Sequence, residues 1–169
     1  KAGGPFEMTV NDIRLKDILV GDVWLCSGQS NMELTAGRVT DKFAEEIARD
    51  ENPMIRYVKI PLGNDLHGPK DDLPGADWMP LTKETAPSFS ALAYFFAKEM
   101  YRETQVPVGI VNSSWGGSSV EAWMSEEALQ KFPRQLHERD LFDSDEYREL
   151  CNRSGQMMNR FWDTALYKG

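Results

Sequence analysis

Ser30 is the residue of this 169-residue chain whose position most directly suggests chemistry. It lies in the segment Gly-Gln-Ser-Asn-Met at residues 28–32, just after an apolar run at residues 23–26. Four apolar residues between turn formers predict a short buried strand. Because ligands of open α/β sheets bind beyond the carboxyl ends of strands, a hydroxyl at this place is a candidate nucleophile. The alternative is that Ser30 only caps a turn, as serines after a glycine often do.

Met32 excludes one well-known serine motif. The nucleophile elbow of α/β-hydrolases is Gly-x-Ser-x-Gly, which needs a small residue two positions after the serine. Met32 stands at that position, so Ser30 does not belong to such an elbow.

A second segment of small polar residues follows another predicted strand. Residues 106–111 are nearly all apolar, as a central parallel strand is, and Asn-Ser-Ser-Trp-Gly-Gly-Ser-Ser follows at residues 112–119. Gly116 and Gly117 would let the backbone approach a ligand and point N–H groups at it. Acyl transfer needs such donors for its oxyanion. A plain Gly-Gly turn before a helix is the alternative interpretation.

Both segments resemble sequence blocks of SGNH-type esterases, specifically of the sialate O-acetylesterase family. The first block is matched by Asp-Val-Trp at residues 22–24 and by Gly-Gln-Ser-Asn-Met at residues 28–32. The second is matched by Gly-Gly-Ser at residues 116–118 and by Glu-Ala-Trp at residues 121–123. The resemblance covers residues 1–169 as the front part of an esterase domain.

The resemblance implies catalytic roles for two residues. Ser30 would be the nucleophile, and the N–H groups of Ser30 and Gly117 would bind the oxyanion. It also implies neighbouring residues that contact the substrate: Gln29, Asn31, Trp115, Gly116 and Ser118. No metal ion or organic cofactor is implied, because the chain has neither a Cys/His cluster nor a phosphate-binding glycine loop followed by Lys.

A serine esterase also needs a base, and the chain has two histidines, His67 and His137. The family takes its base from an Asp-x-x-His motif near the end of the domain, and a further oxyanion donor from a Gln-Gly-Glu block. Neither motif occurs here, so the resemblance implies that both lie after Gly169. We therefore expect residues 1–169 alone to be a very poor esterase, with neither histidine as the base.

Three functions follow as expectations. The resemblance implies removal of O-acetyl groups from sialic acids through an acyl-enzyme on Ser30. Acetyl removal from a plant polysaccharide such as xylan is an alternative enzymatic function, and a non-catalytic carbohydrate-binding or scaffold chain is an alternative of another class. The expected partners are an O-acetylated sugar and the remainder of the chain's own esterase domain, and the resemblance favours a periplasmic or secreted location.

The spacing of apolar residues predicts an α/β fold. Strands are predicted at residues 23–26, 55–60 and 106–111, with helices beginning near Thr40 and at Pro87-Ser88. We expect a three-layer α/β/α protein with a parallel doubly wound sheet, of the SGNH-hydrolase or flavodoxin-like kind, truncated to three strands. The third strand is expected to have an open edge that favours association.

The buried face of the second helix and two further helical stretches complete the prediction. The apolar stripe of the second helix is expected at Phe89, Leu92, Ala93, Phe96, Ala97 and Met100, and Tyr94 and Phe95 broaden that face. A short helix is expected from Ser125 to Phe132, closed by Pro133, and a helical pattern extends from Tyr147 to Leu166.

Residues 1–17 are expected to be the end of a preceding β-rich domain or a linker arm, with residues 18–169 forming the N-terminal part of the esterase domain. Phe6, Met8 and Val10 alternate as in a strand, and no hairpin partner is predicted nearby.

Charge and composition exclude some partners. The formal net charge is −8, which disfavours nucleic acid and anionic membranes. No apolar run approaches the ~20 residues that span a bilayer. Cys26 and Cys151 are expected to be unpaired, with Cys26 a small hydrophobe in a central strand.

Overall fold

The computed structural model describes residues 1–63, 71–72, 75–142, 144–147 and 149–154. They belong to two compact units, one formed by residues 1–63 and 71–118 and the other by the described residues from Ser119 onward. His67 and the apolar pattern after residue 154 lie outside the described residues.

The strands of the first unit form two sheets. Their bounds are β1 (Gly3–Val10), β2 (Ile13–Val20), β3 (Asp22–Gly28), β4 (Asn52–Lys59), β5 (Met79–Leu81) and β6 (Val108–Ser114). Strands β1 and β2 form an antiparallel pair, and the second sheet has the order β3-β6-β4-β5. Strand β6 runs parallel to both β3 and β4, whereas β5 is antiparallel to β4.

Helices connect these strands. The α-helices are α1 (Ser30–Glu33), α2 (Thr40–Arg49), α3 (Ala91–Thr104), α4 (Glu126–Leu129) and α5 (Pro133–Phe142). Short 3₁₀ helices lie at Ala36–Arg38, Ala86–Ser88 and Val120–Trp123. Residues 145–147 and 149–154 are also helical. The predicted α/β class, with a mostly parallel sheet flanked by helices, is confirmed.

The carboxyl ends of three parallel strands meet at one edge of the sheet. Gly28 at the end of β3 pairs with Ser114 at the end of β6, and Lys59 at the end of β4 pairs with Asn112. The segments that follow β3 and β6 therefore start side by side.

Strand β3 is exposed, contrary to the prediction of a buried central strand. Only Cys26 is buried, whereas Val23 is 65% and Leu25 is 71% exposed. Within the described residues β3 pairs with β6 alone, so it is the edge strand. The open edge expected at the third predicted strand is therefore wrong, because that strand, β6, lies between β3 and β4.

The N-terminal strand has a hairpin partner, which the sequence interpretation missed. Met8 pairs with Leu15, and Val10 pairs with Ile13 across a two-residue turn. Asn11 in that turn has φ 51°, a left-handed conformation that asparagine tolerates better than most residues. The assignment of residues 1–17 to a preceding domain or linker stays a prediction.

Helix α3 buries most of the predicted face but leaves Leu92 outside it. Ala93, Ala97 and Tyr94 are buried as expected, but Leu92 is 57% exposed. The hydroxyl of Tyr94 binds the carboxylate of Asp50 at 2.5 Å, so this polar ring can enter the core. Burial and the Asp50 carboxylate both raise the pKa of the Tyr94 hydroxyl.

Two other boundaries differ from the prediction. Helix α3 begins at Ala91 rather than at Pro87-Ser88, because residues 86–88 form a 3₁₀ turn and Ser90 caps the helix. Pro133 begins α5 instead of ending the preceding helix, a position that suits proline because its missing N–H has no partner there.

Both cysteines are free, as predicted. Cys26 is buried, and this burial raises the pKa of its thiol, whereas Cys151 is exposed. Among the helices that the structure describes, none is both long and apolar enough to cross a membrane.

Candidate active site

Ser30 is the first residue of α1, directly beyond the end of β3. The sequence predicted no helix before about Thr40, but a single turn forms because Gln29 O accepts the N–H groups of Met32 and Glu33 at 3.0 and 2.9 Å. The side chain of Ser30 is exposed. Its hydroxyl therefore lies where the strand-end argument predicted it, at an accessible surface.

Asn112 fixes α1 to the sheet. Its buried side-chain nitrogen, Nδ2, lies 3.4 Å from Cys26 O and 3.5 Å from Met32 O and donates to both. Its side-chain oxygen accepts a hydrogen bond of 2.8 Å from the hydroxyl of Ser114. The sequence interpretation gave Asn112 no role, although its place among alternating buried residues of β6 was a signal, since a buried amide needs partners.

The N-terminus of α3 holds the other end of α1. Ala91 N–H donates to Leu34 O at 2.7 Å, and Ala36 N–H donates to Phe89 O at 2.8 Å. The hydroxyl of Ser90 lies 3.5 Å from the sulfur of Met32. The short helix that carries Ser30 is thus held on both sides by buried or half-buried neighbours.

The glycine segment forms a tight turn directly after β6. Trp115 N–H donates to Gly28 O at 3.0 Å, which joins the turn to the end of β3. Ser118 closes it, since its N–H and hydroxyl bind Trp115 O at 3.3 and 2.7 Å. Gly117 has φ 79°, a conformation that favours glycine. The side-chain amide of Gln29 donates to Ser118 O, a second link between the two segments.

Gly116 lies close to the serine itself. A methyl group on its Cα would lie 3.2 Å from Ser30 Oγ and 2.6 Å from Glu33 Oε2. A side chain at this position would therefore require the Glu33 carboxylate to move away from Gly116. The structure thus brings together Ser30 and the Gly-Gly turn, as the sequence predicted.

The backbone N–H groups of the two segments have different partners. Gly116 N–H donates to Glu33 Oε2 at 2.7 Å. The N–H groups of Ser30 and Gly117 form no hydrogen bond within the described part of the chain. These two N–H groups are therefore available to bind a ligand oxygen, whereas that of Gly116 is occupied.

Glu33 and Lys59 are site residues that the sequence interpretation missed. The Lys59 ammonium lies 3.7 Å from Glu33 Oε1, and both side chains are about one-third exposed, at 36% and 31%. The sequence predicted no helix before about Thr40, so nothing placed Glu33 on the side of α1 that carries Ser30.

A cavity of about 380 Å³ lies beside the serine. Its lining residues are Ser30, Glu33, Leu34, Thr35, Arg38 and Lys59. The guanidinium of Arg38 has neither a hydrogen bond nor an ion pair with any described residue. Two cations and one carboxylate therefore give this cavity a positive excess within a chain of net charge −8.

The remaining predicted residues are placed as follows. Asn31 is exposed on α1, and Trp115 is half-buried in the glycine turn. His137 is exposed on α5, in the second unit. No group of three or more metal-ligating side chains occurs among the residues that the structure describes.

The fold and the strand-end serine define the class of protein. A mostly parallel sheet with a serine after one strand and a glycine turn after the next is the arrangement of SGNH-type α/β carbohydrate esterases. The family model for carbohydrate esterase, sialic acid-specific acetylesterase, matches residues 20–165. The chain belongs to this family.

Individual relatives agree with this assignment. The chain is 34% identical to sialate O-acetylesterase of Rattus norvegicus, over 77% of the chain and 27% of that protein. It is 33% identical to the Homo sapiens protein of the same name, over 77% and 28%. A crystal structure of a carbohydrate acetylesterase from Xanthomonas citri superimposes with a TM-score of 0.70 at 40% identity, covering 80% of this chain and 32% of that one. The chain thus spans about a quarter of the length of the curated relatives.

Proposed function

We propose that the protein is a serine esterase that removes acetyl groups from sugars, with Ser30 as the nucleophile. The observation that carries this proposal is that an exposed serine hydroxyl and the free N–H of Gly117 lie in segments that follow two adjacent strand ends. Membership of a carbohydrate esterase family supports it.

The geometry supports acyl transfer through a covalent intermediate. Ser30 Oγ attacks the carbonyl carbon of the acetyl ester, and the oxyanion accepts hydrogen bonds from the N–H groups of Ser30 and Gly117. The sugar leaves as its alcohol, acetyl stays on Ser30, and water then releases acetate. A base must take the proton of the Ser30 hydroxyl. We assign this role to neither His67 nor His137.

We propose a sialic acid as the sugar. Sialic acids carry a carboxylate, whereas the acetylated xylose backbone of xylan is neutral. The cavity beside Ser30 presents the Arg38 guanidinium without an acidic partner among the described residues. A guanidinium is well suited to bind a carboxylate through two hydrogen bonds. The names of the relatives are in keeping with this choice.

Replacement of the nucleophile tests the reaction. In the full-length protein, Ser30→Ala should lower acetate release from 9-O-acetylated sialic acid by at least about 10³-fold, because the acyl-enzyme cannot form. Ser27→Ala is the matched control, since Ser27 is exposed on β3 three residues earlier and its hydroxyl has no hydrogen bond to a described residue. Full activity of the Ser30→Ala protein would refute the proposal. Sugar binding without hydrolysis by the wild type would favour the non-catalytic alternative.

Replacement of Arg38 tests the sugar. Arg38→Gln should lower kcat/KM for 9-O-acetylated sialic acid about tenfold or more, because the substrate carboxylate loses its partner. Turnover of p-nitrophenyl acetate, which has no carboxylate, should not change. Arg38→Lys, which keeps the charge, should have a kcat/KM for the sialic acid substrate between those of the wild type and Arg38→Gln. Equal effects on both substrates, or none, would contradict the assignment and favour a neutral acetylated polysaccharide.

A further inference from the structure

We propose that Glu33 is a positioning residue, whose carboxylate holds the Gly116-Gly117 turn in place against Ser30. This inference rests on the proposed function of Ser30. It assigns to the short helix α1 a second role besides carrying the nucleophile.

The position of Glu33 on α1 is the first step. Ser30 and Glu33 are three residues apart in one helical turn, so their side chains project from the same side. Leu34 N–H donates to Ser30 O at 2.9 Å, which completes that turn. The nucleophile and the carboxylate are therefore fixed relative to each other by backbone hydrogen bonds.

The second step is the contact with the glycine turn. The hydrogen bond from Gly116 N–H to Glu33 Oε2 is 2.7 Å long and has an ionised acceptor, the stronger kind of hydrogen bond. This bond fixes the peptide unit before Gly116, and the bonds of Ser118 to Trp115 O close the turn on its other side, so the peptide unit between Gly116 and Gly117 is held between two fixed points. That unit carries the Gly117 N–H, the proposed oxyanion donor.

The third step is Lys59, which forms an ion pair with the other carboxylate oxygen of Glu33. Its ammonium lies 3.7 Å from Glu33 Oε1 at the end of β4. The pair is partly exposed, and such pairs contribute little to stability on their own. Its effect is instead on orientation, because each oxygen of the carboxylate has its own partner and the side chain is held between them.

The same contacts argue against Glu33 as the base. Its two oxygens already have an N–H and an ammonium as partners. A carboxylate that acts as a base loses its charge when it accepts the proton, whereas a hydrogen-bond acceptor need not carry a charge at all. Glutamine therefore distinguishes the two roles, since its amide oxygen can still accept the Gly116 N–H.

Kinetics of the full-length protein give the first test. Glu33→Gln should retain kcat within about threefold, whereas Glu33→Met should lower kcat about 10- to 100-fold and leave KM nearly unchanged. The limit for losing one oxyanion donor is about 10²–10³-fold. A normal kcat of Glu33→Met would overturn the proposal. An equal loss in both variants would overturn it as well, because it would make the charge rather than the acceptor decisive.

The amide proton of Gly116 gives a second test that needs no activity. In ¹⁵N-edited NMR spectra of the full-length protein, this proton should shift upfield in Glu33→Met and exchange faster with solvent, because it loses its acceptor. In Glu33→Gln it should stay near its wild-type position. An unchanged Gly116 amide in Glu33→Met would overturn the inference. Since the wild type and Ser30→Ala are assayed alongside, an inactive wild type refutes only the proposed function.

Discussion

At the scale of single residues, the two glycines of the turn serve different purposes. Gly116 is needed for space, because a methyl group there would meet Glu33 Oε2 at 2.6 Å. Gly117 is needed for its φ of 79°, and a methyl group there would meet nothing within 4 Å. These two neighbouring glycines should therefore respond differently to the same substitution.

Alanine at each position tests this difference. Gly116→Ala should displace Ser30 or Glu33 and lower kcat at least about tenfold relative to Gly117→Ala, since losses of oxyanion geometry reach 10²–10³-fold. Gly117→Ala keeps its N–H and should cost about 1–2 kcal/mol of stability from the left-handed backbone. Kinetics of acetate release and denaturant unfolding of both variants measure these effects. A Gly116→Ala enzyme more active than Gly117→Ala would contradict this account.

At the scale of elements, the start of α3 supports the helix that carries Ser30. Ser90 Oγ accepts the N–H of Ala93 at 3.3 Å and lies 3.5 Å from the sulfur of Met32. Ser90 is 1% exposed, so its hydroxyl links two elements inside the core of the first unit.

Removal of this cap should destabilise the protein. Ser90→Ala should lower the free energy of unfolding by about 1–2 kcal/mol, because it removes a helix cap and leaves the Ala93 N–H without its acceptor. Ser125→Ala is the matched control, since Ser125 caps α4 through Ala128 N–H at 3.2 Å at an exposed site. Its effect should be smaller. Urea unfolding measures both, and equal effects would contradict the role given to burial.

Elements also show what a sequence pattern can reveal. The meeting of Ser30 with the glycine turn could be predicted, because both follow apolar strands and parallel strands end at one edge. The contact of Glu33 with Gly116 could not, because it depends on a single helical turn that has no periodic pattern. The role of Asn112 depends on strand register, which a single strand does not specify.

At the scale of the whole molecule, the strand order was the main feature that periodicity did not predict. Apolar runs identify strands but not their neighbours, so β3 was taken as central although it lies at the edge. Val23 and Leu25 project from the face away from Trp24, whose ring packs against Phe96 of α3. The result is an exposed apolar strand with one unpaired edge in the described structure, a feature that favours pairing with another chain.

Charge on this strand should reduce association. Leu25→Lys should weaken self-association of purified residues 1–169, because lysine on an edge strand opposes pairing. Leu92→Lys is the control, since Leu92 is 57% exposed on a helix rather than on a strand. Sedimentation velocity over a range of concentrations measures the effect. A wild type that stays monomeric, or an equal effect of both variants, would contradict the prediction.

The most direct test of the central claim is to find the residue that reacts as the nucleophile. The full-length protein would be treated with a fluorophosphonate probe, digested and examined by peptide mass spectrometry. We predict a single adduct on the peptide that contains Ser30, absent from the Ser30→Ala protein and formed at a normal rate in Ser27→Ala. An adduct on another residue, with Ser30 unmodified while acetate release is lost, would contradict the account.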